Sequence, residues 1–122
     1  MLIFGVISPH PPLIIPEIGG KDIERVKRTV AALESAAERL AAAKPDRLLI
    51  ISPHEGHGYE VPLHYLAKQL PSNLELEKIL VTEPSYEHYY EWGKRYGEAC
   101  DQSDQRTAII ASADLSHVLK PE

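Results

Sequence analysis

The 122 residues carry 13 Lys and Arg against 18 Asp and Glu, a formal charge of −5, with 43% hydrophobic and 25% charged side chains. That is room for one domain burying roughly two-thirds of its unfolded surface, without the low-complexity tracts that accompany disorder. The acidic balance offers no basic stripe to nucleic acid or to an anionic membrane surface, and no apolar run approaches the ~20 residues of a spanning helix. A single cysteine, Cys100, excludes an intramolecular disulfide. With an opening segment that has no basic n-region, it makes the cytoplasm the default location.

Leu2 to Ile7 is an apolar, β-branched run stopped by Ser8-Pro9, the pattern of a strand buried on both faces. After a proline-rich loop and Gly19-Gly20, Ile23, Val26, Val30, Leu33, Ala37 and Leu40 recur at steps of three and four, which predicts one apolar helical stripe. Glu24, Lys27, Arg28, Glu38 and Arg39 face water on that helix. Pro45-Asp46 ends it, and Arg47 to Ser52 repeats the strand pattern before another proline. The unit is therefore βαβ.

The alternation continues with a short helix near Val61 to Leu70, a strand near Leu76 to Thr82, a longer helix from about Pro84 to Gln102, and a strand over Thr107 to Ser112. Strands alternating with helices predict an α/β fold, a mostly parallel sheet with helices on both faces, because each parallel connection needs a crossover. In the long helix Tyr89, Trp92, Tyr96 and Cys100 fall on one face, read as packing rather than as a cofactor box. Gly93 and Gly97 are expected to let that helix approach the sheet closely.

A repeat carries the chemistry. Val6-Ile7-Ser8-Pro9-His10 and Ile50-Ile51-Ser52-Pro53-His54 put the same Ser-Pro-His tripeptide just after a predicted parallel strand. Proline makes a stiff exit, and in open parallel sheets the C-terminal strand ends form the ligand crevice. His117, in Asp114-Leu115-Ser116-His117, leaves the last strand the same way. Three of six histidines are thus expected at one rim, suited to a metal or to acid/base work. His64 and His88 fall within predicted helices and receive no role. There is no Gly-x-Gly-x-x-Gly loop, Walker loop or Cys-x-x-Cys pair. Asp114, Ser116 and His117 have the residue types of a hydrolytic triad, but neighbours on one strand end rarely attain its geometry.

Ile7-Ser8-Pro9-His10-Pro11-Pro12, Ile51-Ser52-Pro53-His54 and Ala113-Asp114-Leu115-Ser116-His117 resemble the class III (LigB-type) extradiol dioxygenases, most closely their Memo-like branch. Pro16-Glu17-Ile18-Gly19-Gly20 and His57-Gly58 followed by Val61-Pro62-Leu63 extend the likeness over nearly the whole chain. The resemblance implies that residues 1–122 form a single α/β domain, part of a larger LigB-like one, with His10 and His54 as ligands of Fe(II). It further implies His117 as the acid/base, His57 in the substrate pocket, and a catechol-like substrate whose ring opens beside a hydroxylated carbon. Two imidazoles and a carboxylate would leave metal positions open.

The chain departs from that family at two places. His57 lies only three residues after His54, where the family has a long segment, so Cα spacing between His54 and Gly58 is the test of continuity. The family's carboxylate ligand comes from a region beyond Glu122; Glu17, Glu55, Glu60 and Asp114 match it by charge alone, and Asp114 is expected to support the His117 loop. Two other functions fit these residues: a non-catalytic Memo-like metal-binding or interaction protein, and a zinc-dependent hydrolase, since imidazole suits Zn(II) as well as Fe(II). Resemblance to the Memo-like branch also suggests AMMECR1-domain or radical-SAM partners. An incomplete sheet would expose apolar surface and favour a homodimer.

Overall fold

The computed structural model describes residues 1–114. Four parallel strands, β1 (Leu2–Ser8), β2 (Arg47–Ser52), β3 (Glu75–Leu80) and β4 (Thr107–Ser112), form one sheet in the order β1-β4-β2-β3. The expected β2 and β4 match at both ends. A short helix α1 (Pro16–Gly19) leads through a 3-10 stretch, Gly20–Val26, into α2 (Lys27–Ala42). The α-helical stripe therefore begins later than the periodicity alone predicts, because the chain winds as a 3-10 helix up to Val26, whose φ of −118° and ψ of 20° separate that stretch from α2. Lys44, at φ 52°, closes α2 in the left-handed conformation just before Pro45.

Side-chain alternation along the strands separates two faces. On one, Leu48 and Ile50 of β2 and Ala108 and Ile110 of β4 pack with Leu33 and Leu40 of α2 and with Tyr59, Val61, Tyr65 and Leu66 of α3 (His57–Leu66). Leu40, Ile50, Leu66 and Ile110 are fully buried. Each stabilises the fold by about 1.5–3 kcal/mol relative to exposure. The Tyr65 hydroxyl donates to the Ile14 carbonyl, tying the proline-rich loop after β1 onto α3.

Among the described residues α4 (Tyr86–Asp101) is the helix on the other face. The Ser85 hydroxyl accepts from the His88 amide at its start. Cys100 is buried, and Trp92 stacks on Tyr96 with ring centres 5.0 Å apart. Arg47 lies over the Tyr96 ring and pairs with Glu77. The aromatic face thus packs as expected. The two glycines do not: a Cβ at Gly93 or Gly97 would meet nothing within 4 Å, so neither mediates a close approach to the sheet. Among the described residues no helix is long and apolar enough to cross a membrane.

Candidate metal centre

Strand register builds the site. Ser8 of β1 is paired with Ser112 of β4, and the β2 ladder runs alongside β4 as far as Ile51 opposite Ala111, so Ser52, Ser8 and Ser112 end their strands at one level. All three serines are buried. Two residues beyond each comes a candidate donor: His10, His54 and Asp114. Because β4 lies between β1 and β2, the carboxylate leaves the sheet between the two histidines.

The serines hold the turns that follow. Ser52 Oγ donates to the His54 carbonyl at 2.7 Å and accepts the His54 amide at 3.1 Å, and Ser8 Oγ donates to the Pro9 carbonyl at 3.0 Å. The hydroxyls supply locally the hydrogen bonds that the proline exits leave unmade.

His10 is 2% exposed. Its Nδ1 is 2.9 Å from Ser112 Oγ and its Nε2 is 3.2 Å from Asp114 Oδ2. The His10 and His54 ring centres are 5.3 Å apart, the two rings nearly perpendicular at 81°. His57 is 5.7 Å from His10 and 5.6 Å from His54, so the three rings form a nearly equilateral triangle.

The close spacing of His54 and His57 follows from a tight turn. Gly56 takes φ 59°, a left-handed conformation that favours glycine, and α3 starts at the next residue. The amides of Gly58 and Tyr59 bond to the carbonyls of Glu55 and Gly56 at 3.3 and 3.0 Å, so a closed, hydrogen-bonded turn joins His54 to Gly58. The helix thereby begins four residues earlier than the apolar pattern suggests.

No family model matches the chain, and no solved structure matches it. A protein of Clostridium acetobutylicum, Protein CA_C1420, is 33% identical to it over 48 residues, which are 39% of this chain and 10% of that protein. The chain thus aligns with about a tenth of that relative's length.

Of the residues singled out by sequence, His10, His54, His57 and Asp114 come together at one rim of the sheet. His117 lies outside the described residues. His64 stacks edge-on against Tyr65, and His88 lies 3.6 Å from Glu83. Sequence reasoning missed the direct approach of Asp114 to His10; the serine two residues before it, shared with both Ser-Pro-His repeats, was the available signal.

The ring triangle tests the fit of a metal. An ion held through imidazole nitrogens at about 2.0–2.1 Å lies about 3.2 Å from each ring centre, so tetrahedral ligands put ring centres about 5.2 Å apart and octahedral neighbours about 4.5 Å. The observed separations of 5.3 to 5.7 Å are wider than both and lie nearer the tetrahedral value. Among the described residues no group of three or more His, Cys, Asp or Glu side chains is arranged, as it stands, to hold a metal ion.

Proposed function

We propose that this chain forms a metal centre of the class III extradiol dioxygenase type, in which His10 and His54 hold a divalent ion. One observation carries the reading: two Ser-Pro-His exits from strands that do not touch, β1 and β2, bring their imidazoles to 5.3 Å across the end of β4. The resemblance of the same residues to the LigB-type enzymes supplies the choice of ferrous iron and of a catechol-like substrate. Iron bound there would supply the redox chemistry that opens a hydroxylated aromatic ring.

The chain's own residues do the rest. Ser112 orients the His10 ring through Nδ1, burial of His10 keeps water from its inner edge, and Ser52 fixes the backbone that carries His54. His117 is proposed to take and return a substrate proton, and His57 to border the space where the substrate lies.

A second reading, a Memo-like protein that binds metal without turnover, is favoured by the placement of His57. A third imidazole at equal distance from the other two would occupy a position that a catechol or dioxygen needs. Anaerobic loading of the chain with Fe(II), followed by catechol and air, tests the two together. Stoichiometric iron binding with oxygen uptake, both abolished in His10→Ala, is the expected result. Binding without uptake selects the second reading, and failure to bind any divalent transition metal removes both.

A further inference from the structure

We propose that His57 and Asp114 are themselves ligands, completing with His10 and His54 a four-donor, tetrahedral site for a divalent transition ion. The inference rests on His10 and His54 holding a metal; it takes the second reading of that centre, binding without turnover, and gives His57 a ligand's place instead of a pocket wall's.

Strand register is the first support. Asp114 stands in the same position after Ser112 as His10 does after Ser8 and His54 after Ser52, and the three strand ends are level. A donor at the equivalent place on the middle strand completes a row of three. His57 reaches the same rim from the first turn of α3, whose approach is set by Gly58 packed against Ser52 and His54.

The second support is the pairing of His10 with Asp114. An imidazole nitrogen 3.2 Å from a carboxylate oxygen is bridged either by a proton, which a neutral Nε2–H already supplies, or by a metal ion. Two ligands at about 2.1 Å from one ion lie about 3.0–3.4 Å apart across angles of 90 to 109°. The His10–Asp114 edge already has that length, so an ion replaces the proton with little movement of either group. His10 Nδ1–H then donates to Ser112 Oγ, the outer hydrogen bond that a metal-bound histidine generally makes.

The third support is the triangle of ring centres, close to the tetrahedral spacing and wider than the octahedral one. His57 is exposed at the start of its helix. A turn about χ2, which for histidine is a broad and nearly two-fold torsion, brings a ring nitrogen inward at small cost. Three imidazoles and one carboxylate suit Zn(II) or Co(II) in four-coordination.

The experiment is a Co(II) titration of the full 122-residue chain and of His10→Ala, His57→Ala, Asp114→Ala and, as a control, His64→Ala. Wild type and His64→Ala should develop the intense visible bands of tetrahedral cobalt. His57→Ala and Asp114→Ala should lose those bands and bind more than about 100-fold more weakly, beyond the 10- to 100-fold typical of an outer-sphere partner. Circular dichroism checks that each variant folds. If one does not, the imidazole 15N resonances of the wild-type chain decide, because zinc must shift those of His57 along with those of His10 and His54.

Faint, six-coordinate cobalt bands in the wild type overturn the inference. So do affinities within about threefold of wild type in both His57→Ala and Asp114→Ala while His10→Ala abolishes binding, and that pattern leaves the metal-centre reading standing. No binding by the wild type overturns inference and reading together.

Discussion

Gly58 shows how much of the rim depends on one missing methyl group. A Cβ there would lie 2.2 Å from Ser52 Oγ and 3.1 Å from the His54 Cβ, and Ser52 is held by its bonds to the His54 backbone. Gly58→Ala should therefore cost about 1–3 kcal/mol, the usual penalty of overpacking, and push His57 away from the other two rings. Urea denaturation measures the first effect and metal titration the second. An unchanged midpoint would mean that the Ser52 hydroxyl yields freely. At this scale His10 and His54 were legible because a repeated tripeptide after two strands marks itself. Asp114 shares only the serine of that repeat, so its approach to His10 became visible only with the register of β4.

At the scale of elements, strand runs were read more accurately than helix ends. The apolar blocks Arg47–Ser52, between Asp46 and Pro53, and Thr107–Ser112, between Arg106 and Ala113-Asp114, keep their expected limits. Helix α3 starts earlier than its apolar stripe because a turn at Gly56, rather than side-chain periodicity, sets its first residue. Helix α4 has the expected aromatic face, but Gly93 is exposed and adjoins nothing. Gly93 has no positive φ, so Gly93→Ala should stabilise the protein by about 0.5–1 kcal/mol by restricting the unfolded chain and favouring the helix. A lower melting temperature in that variant would show that the helix needs the glycine for a contact outside the described residues.

At the scale of the whole molecule the two faces of the sheet are unequal. Two helices cover the core face, whereas α4 leaves Gly5 and Ile7 of β1 and Ile109 and Ala111 of β4 lining an open apolar trough on the other. Ile7 is 71% exposed, and β1 is an edge strand without a charged side chain. Edges and faces of this kind promote association unless a charge interrupts them. The chain is expected to self-associate at micromolar concentration, and Ile7→Lys to shift it toward monomer by light scattering; equal monomer mass for both would contradict this.

The α/β class and the βαβ order were determined by the sequence itself, because buried parallel strands and amphipathic helices differ in period and are punctuated by proline and glycine within a few residues. The same local signals put each Ser-Pro-His turn at a strand end. Which strands become neighbours is a matter of contacts between segments about 60 to 100 residues apart, as in the pairing of Ser8 with Ser112 and of Ile51 with Ala111. Only the tertiary structure decided that β4 enters between β1 and β2, and that order brings His10, His54, His57 and Asp114 to one rim of the sheet.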